Sequence, residues 1–211
     1  MTEYKPFSRR DAEPPVEERT VAVVLSIPPG NEELGRIALQ PMGSLSLAQK
    51  AIALLQNADA DERWLRHSDG LAADLVAPQG VVRLLDGEAQ PRCTHLLLLG
   101  PLHPFLRAST LGEAVRLFKM RTDIASLVAC TRNRDALYDP SGERVIGESS
   151  DRTLYRDAHA FQIVPRTAAS SDGPLERYPF ELSEQESFLV DSEFKLQLFR
   201  AWQERSPGRA F

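Results

Sequence analysis

The sequence has no apolar run long enough to cross a membrane and no surplus of positive charge. Its longest apolar stretches, such as HLLLLG at residues 95–100, are far shorter than the roughly 20 residues that a transmembrane helix needs. The 30 acidic residues outnumber the 25 lysines and arginines, which gives a net charge of −5. Because nucleic acids are bound largely through neutralised phosphates, this balance argues against a nucleic-acid partner. We therefore expect neither a membrane span nor a nucleic-acid ligand.

The sequence is also poor in cysteine. Its two cysteines, Cys93 and Cys130, are far apart and form no C-x-x-C motif, so we expect buried free thiols in a cytoplasmic protein. The polar N-terminus has no apolar signal core. We expect a flexible leader over residues 1–19, one domain over 20–205 and a tail over 206–211, because 211 residues with 42% hydrophobic content suffice for one substantial core.

Short apolar segments alternate with segments of helical periodicity. Strands are predicted at 21–27, 63–67, 81–85, 94–100, 126–131, 160–166 and 188–190, and helices at 44–56, 70–80, 110–121 and after 191. Thr110 and Glu113 have the spacing of a capping box. Such alternation indicates a three-layer α/β fold with a mostly parallel, doubly wound, Rossmann-like sheet. The turn sequence Asp-Pro-Ser-Gly at 139–142 predicts a hairpin extension over 136–147.

Four segments, taken in order, resemble a known family. They are RHSDGLAADLVAPQGVVRLL, THLLLLGPLHPFLRASTLGEAVRLF, YRDAHAFQIV and FLVDSEFKLQL. They are similar to the S-T-D, Q-P-T-S-P-L-R, Y-R-x-N-G-A-F-Y-I and I-D-I-D-T-x-x-D-F segments of the cytidylyltransferases that make CMP-sugar acids, the acylneuraminate and deoxyoctulosonate enzymes. The resemblance implies a nucleotidyltransferase-like fold, nucleotidyl transfer from CTP to a sugar acid, and Mg²⁺ between carboxylates and phosphates. It also implies a homodimer built partly by residues 133–160.

The segment after the first strand departs from this family in the sign of its charge. The family carries A-R-x-G-S-K-R-x-x-x-K-N there, and this chain has SIPPGNEELGRIAL, which we interpret as a loop. Glu32 and Glu33 stand at the Lys-Arg pair, whereas Gly30 and Arg36 match. A carboxylate about 4–6 Å from a phosphate oxygen is repulsive by on the order of 1–4 kcal/mol. The loop therefore argues against binding of a nucleoside triphosphate, unless a rearrangement turns Arg36 or Arg66 inward.

The family's catalytic motifs are altered as well. Gly100 replaces the Gln of Q-P-T-S-P, and His103 replaces its Ser. Leu189 stands at the first Asp of I-D-I-D, and Asp191 keeps the second. If CTP-dependent chemistry persists, the resemblance places Mg²⁺ on Asp191 and catalysis on Asp191 and Asp69. Asp191 also precedes a predicted helix, where a capping role is the competing interpretation.

Further polar residues lie in segments expected beyond the carboxyl ends of the strands, where doubly wound sheets bind ligands. The candidate ligand-binding residues are Gly30, Asn31, Arg36, Ser68, His103, Arg107, Arg156 and His159. Arginine suits a carboxylate or phosphate, while Ser68 fits either a pocket or a turn. His67, His103 and His159 form an alternative set for metal binding or acid–base chemistry.

Three functional hypotheses follow. The first is a divergent member of this family that has lost ordinary CTP-dependent transfer and acts as a non-catalytic or repurposed subunit in sugar or natural-product biosynthesis. Its expected partner is a second copy or an active paralogue, and its expected ligand is a nucleotide or sugar acid. The second is an active cytidylyltransferase that uses Mg²⁺, Arg36, Asp69 and Asp191. The third is a histidine-based metal-dependent enzyme on the same fold.

Overall fold

The computed structural model describes residues 18–67, 83–84, 90–133, 137–138, 141, 144–146, 154–168 and 177–205. The strands in these ranges are β1 Val21–Ile27, β2 Pro41–Met42, β3 Leu45–Ser46, β4 Glu62–His67, β5 Arg83–Leu84, β6 His95–Leu99, β7 Ser126–Arg132, β8 Leu137–Tyr138, β9 Arg144–Ile146, β10 Tyr155–Pro165 and β11 Arg177–Glu181. The helices are α1 Glu33–Leu39, α2 Leu47–Gln56, α3 Ala108–Met120 and α4 Glu193–Arg205, with one 3₁₀ turn at Arg166–Ala168.

Seven of these strands form one sheet in the order β11-β7-β10-β6-β1-β4-β5. Strand β1 pairs in parallel with β4 and β6, and β11 pairs in parallel with β7. Strand β10 is antiparallel to both of its neighbours. The prediction of a mostly parallel α/β sheet is confirmed. The apolar run of β6 occupies the centre of the sheet, as its uninterrupted hydrophobicity requires.

Both faces of the sheet are buried, which makes the fold three-layered. Alternate residues of β1 enter opposite clusters, because successive side chains of a strand point to opposite faces. Val23 and Leu25 pack with α2 and α3, whereas Val24 packs with Trp64 on the other face. A further cluster joins α1 to α4 through contacts that include Ile37 and Phe199.

The segment SIPPGNEELGRIAL is not a loop throughout, because its second half forms α1. The turn before the helix packs directly on Gly35. A Cβ atom at Gly35 would lie 1.8 Å from the carbonyl oxygen of Pro29, and the N–H of Glu32 donates to the same oxygen at 3.0 Å. The close approach of the Pro29 carbonyl therefore requires a residue without a side chain at position 35.

Other local predictions were wrong. Thr110 and Glu113 do not form a capping box, because α3 begins two residues before Thr110 and its N-cap is Arg107. Residues 188–190 form no strand, and β11 was missed at the sheet edge, where Pro179 is tolerated. The leader stays a prediction, because most of it lies outside the described residues. Its last residue, Arg19, donates from its guanidinium to the carbonyl oxygens of Phe118, Arg121 and Thr122.

Several predicted features lie outside the described residues. They include the helix at 70–80, the tail at 206–211, most of the leader and half of 133–160. The hairpin prediction is confirmed by the antiparallel pairing of β8 with β9. No helix in the described part of the chain is long and apolar enough to span a membrane.

Candidate functional site

A cavity of about 550 Å³ opens at the carboxyl edge of the sheet. The parallel strands β1, β4 and β6 end there, and the reversed strand β10 brings its N-terminal half to the same edge. Apolar residues form most of the wall, and the polar or charged residues that line it are Ser26, Arg66, His103, Asp157, His159, Gln162 and Asp191. A cavity with an apolar wall and a few convergent polar groups is typical of a small-molecule site.

A second cavity of about 550 Å³ lies beside the first, and Asp157, His159 and Leu189 line both. This second cavity also includes Arg132 and Arg156. The two cavities therefore meet along the segment of β10 that carries the predicted ligand residues Arg156 and His159.

His159 occupies a backbone conformation that favours glycine. Its φ of 55° is the one positive value at a non-glycine position in the described ranges, and it lies where β10 bulges away from β7. Position by position, His159 stands at the Gly of the Y-R-x-N-G-A-F-Y-I segment. The carboxylate of Asp157 accepts a hydrogen bond from the His159 N–H at 2.7 Å. Left-handed backbone at a non-glycine residue is strained and often marks a functional site.

His103 is buried in the wall of the first cavity, with only 6% of its surface exposed. Its Nε2–H donates to the carbonyl oxygen of Ala158 at 2.9 Å, because a carbonyl can only accept. Desolvation by burial lowers the pKa of His103 to about 4, so the ring is neutral at pH 7. Its Nδ1 is then an acceptor, and it has no hydrogen-bond partner in the described residues. A buried acceptor without a partner costs about 1–3 kcal/mol.

Asp191 lies at the cavity as predicted, but its carboxylate is already paired. Its Oδ1 is 2.7 Å from the Nζ of Lys195, one turn along α4. Asp191 is not the helix cap, because Ser192 Oγ accepts from the N–H of Lys195 at 3.4 Å and the Ser192 carbonyl accepts from Leu196. Leu189 lines the same cavity, where the family motif has its other carboxylate.

Among the described residues, Arg66 is the positively charged side chain that lines the first cavity. The sequence predicted this only for a rearranged loop. Arg66 is paired in register with Ser26 on β1, so both side chains lie on the same side of the sheet at its carboxyl edge. The predicted loop residues Gly30, Asn31 and Arg36 are absent from the lining of both cavities, whereas Pro28 and Leu34 contribute apolar surface. The strand-end positions of Ser26 and Arg66 were the sequence signal that could have identified them.

Arg107 has a structural partner instead of a place in either cavity. Its Nε donates to the Oε1 of Glu186 at 3.2 Å, and the same carboxylate accepts from the hydroxyls of Thr110 and Ser183. Burial raises the pKa of Glu186, but these three hydrogen bonds outweigh that effect and the pKa is lowered. This network ties α3 to the turn that precedes α4.

The predicted metal ligands are only partly brought together. His103 and His159 line one cavity, but Ser68, Asp69 and the side chain of His67 lie outside the described residues. Within the described ranges, no three His, Cys, Asp or Glu side chains are grouped to hold a metal. For the Mg²⁺ that the resemblance implies, the two motif positions hold Leu189, whose side chain cannot bind a metal, and Asp191, whose carboxylate is paired with Lys195. They do not make a carboxylate pair.

Comparison with known proteins defines the fold. No protein-family model matches the sequence, and no curated protein sequence matches it. Among solved structures, 4-diphosphocytidyl-2C-methyl-D-erythritol synthase from Anaerococcus prevotii is similar with a TM-score of 0.67 at 9% identity, over 90% of this chain and 98% of that one. CMP:2-keto-3-deoxy-manno-octonic acid synthetase, in complex with CTP, is similar with a TM-score of 0.67 at 11% identity, over 89% and 99%. A further 4-diphosphocytidyl-2C-methyl-D-erythritol synthase has a TM-score of 0.60 at 12% identity. The chain therefore has the nucleotidyltransferase-like α/β fold that these cytidylyltransferases share.

Proposed function

We propose that this protein has lost ordinary CTP-dependent nucleotidyl transfer and acts as a non-catalytic or repurposed subunit in sugar or natural-product biosynthesis. The observation that carries the proposal is the ion pair between Asp191 and Lys195 at 2.7 Å. It occupies the carboxylate that matches the second Asp of the family's metal motif, and Leu189 replaces the first. The expected partner is a second copy of the chain or an active paralogue.

The charge around the expected phosphate site supports the same proposal. Glu32 and Glu33 are both exposed at the start of α1, where the resembling family has cations. Among the described residues, Arg66 is the one positive charge that lines the first cavity. A nucleoside triphosphate carries several negative charges and needs positive groups or metal ions around it. One arginine does not balance that charge.

The test is calorimetry with CTP and Mg²⁺ together with an assay for pyrophosphate release in the presence of sugar acids. We expect no binding in the micromolar range and no pyrophosphate above the blank. Micromolar CTP binding accompanied by pyrophosphate release would overturn the proposal.

A gain-of-function variant sharpens the test. The double variant Leu189→Asp with Lys195→Ala restores two carboxylates and removes the cation that pairs with Asp191. We expect it to gain an Mg²⁺-dependent rise in melting temperature that the parent protein lacks. The matched control is Lys195→Ala alone, which frees one carboxylate and should give a much smaller rise.

An active cytidylyltransferase with a rearranged phosphate site is the second candidate, and the position of Arg66 at the cavity is the observation in its favour. In that case Asp191→Ala abolishes turnover, since Asp191 would hold Mg²⁺. Turnover that survives Asp191→Ala would eliminate this version.

A further inference from the structure

We propose that the first cavity binds a small apolar monocarboxylic acid with a hydroxyl or N–H donor at its far end. The carboxylate would be bound by Arg66 and Ser26, the body would pack on the apolar wall, and the donor would reach Nδ1 of His103. The proposal rests on the proposed function, because it gives a ligand to a site that no longer holds a triphosphate.

The cation end of the cavity is defined by β1 and β4. Ser26 and Arg66 are register partners at the ends of neighbouring parallel strands, so a hydroxyl and a guanidinium face the same opening. Arg66 makes no ion pair or hydrogen bond with the described residues. A guanidinium with its donors free is suited to a planar carboxylate.

The acceptor end is defined by the loop after β6 and by β10. The loop is fixed because the carbonyl of Leu102 accepts from Val190 at 3.0 Å and His103 donates to Ala158 at 2.9 Å. These contacts commit Nε2 of His103 and leave Nδ1 as a buried acceptor without a partner in the described part of the chain. A ligand that donates a hydrogen bond there would supply the missing partner.

Asp157, one of the two described carboxylates that line the cavity, lies away from Arg66. Asp157 is on β10, three strand spacings from β4 in the sheet, which is about 14 Å at a spacing of about 4.8 Å. Asp157 accepts from the N–H of His159 at 2.7 Å, and Asp191 is paired with Lys195. An anion bound at Arg66 is therefore separated from Asp157, and the ammonium of Lys195 offsets the charge of Asp191.

Most of the cavity wall is hydrocarbon. Leu34, Leu99, Leu102 and Phe161 are among its residues, and they offer no partners for the hydroxyls of a sugar. An aromatic or branched aliphatic body fits this wall, because its burial removes apolar surface from water. A hydroxyphenyl alkanoate combines such a body with a carboxylate at one end and a hydroxyl donor at the other.

The experiment is calorimetry on the full chain with 3-(4-hydroxyphenyl)propionate. One comparison ligand is 3-phenylpropionate, which lacks the donor, and the other is 3-(4-hydroxyphenyl)propan-1-ol, which lacks the carboxylate. We expect the complete probe to bind at least tenfold more tightly than either. Equal affinity for all three, or no binding of any, would overturn the proposal.

Two variants assign the two ends. Arg66→Gln should weaken the acid at least tenfold and leave the alcohol unchanged, while Arg36→Gln, an exposed arginine outside the cavity, is the matched control and should change nothing. His103→Phe should abolish the preference for the hydroxylated acid; if this variant does not fold, the ligand comparison on the parent protein still decides. An Arg66→Gln variant that binds the acid as tightly as the parent would refute the cation's role. Failure to bind acids leaves the proposed function intact, whereas pyrophosphate release from CTP would overturn the proposed function independently.

Discussion

Replacing His159 with glycine should stabilise the protein, because this residue is held in a left-handed conformation. A residue with a Cβ atom pays about 1–2 kcal/mol for such a backbone, and the φ of His159 is 55°. Glycine removes that cost but adds about 0.4–1 kcal/mol of chain entropy to the unfolded state. The side chain is 71% exposed and its Nδ1 is 3.7 Å from Asp157, so little packing or ion-pair energy is lost.

The expected net gain is about 0.5–1 kcal/mol in the free energy of unfolding. For a chain of this size, that corresponds to a rise of roughly 1–4 °C in the melting temperature. The matched controls are His159→Ala, which keeps the Cβ atom, and His159→Asn, which tolerates the left-handed region. The hydrogen bond from the backbone N–H to Asp157 is available in all of these variants.

The assay is urea denaturation followed by circular dichroism at pH 7.5, with thermal melting as a second measurement. We expect the order of stability to be Gly first, then Asn, then Ala. If His159→Ala equals or exceeds His159→Gly, then backbone strain is not the dominant effect at this residue and the reasoning fails.

Three further predictions concern stability. Because burial lowers the pKa of His103 to about 4, the unfolded chain binds more protons than the folded one between pH 6.5 and 4. The free energy of unfolding should therefore fall by about 3 kcal/mol as the pH falls through that window. His103→Phe should remove this part of the pH dependence in urea titrations, and an unchanged slope would contradict the prediction. Gly35→Ala should lower the free energy of unfolding by about 3 kcal/mol, because its Cβ would lie 1.8 Å from the Pro29 carbonyl oxygen. In the control Gly112→Ala the new Cβ meets its nearest atom at 3.4 Å, so that variant should be neutral or stabilising. Equal melting temperatures of the two variants would refute the close approach. Glu186→Gln should lower the free energy of unfolding by about 2 kcal/mol, because it weakens three hydrogen bonds to a charged carboxylate. The measurement is denaturation at pH 7. A decrease below about 0.5 kcal/mol would show that the network contributes little stability.

The sequence predicted the sheet better than the helix termini. Strand β6 was identifiable because uninterrupted hydrophobicity is characteristic of a strand buried on both faces. The start of α3 was misassigned because Thr110 has the sequence signature of a cap, yet its hydroxyl is used by Glu186, 76 residues away. Strand β11 was missed because its pairing with β7 comes from another part of the chain. Local patterns do not contain such distant partners.

The candidate site was predicted in part for the same reason. Asp191, His103 and His159 were placed at the carboxyl edge of the sheet, and all three line the first cavity. Arg107 was expected to bind a ligand, but its guanidinium forms an ion pair with Glu186, which is distant in sequence. Arg66 reaches the cavity because β4 pairs in parallel with β1. No local sequence motif encodes that pairing.

By itself, the sequence determined the alternation of strands and helices, the acidic balance and the loss of cations and of one carboxylate from the motifs it resembles. These are properties of residue type and spacing along the chain. Only the tertiary structure decided that Asp191 is paired with Lys195, that Nδ1 of His103 is buried without a partner in the described residues, and that His159 takes a glycine's conformation. Each of these depends on which atoms lie within a few ångströms once the sheet has assembled, because hydrogen bonds, desolvation and backbone strain act over those distances.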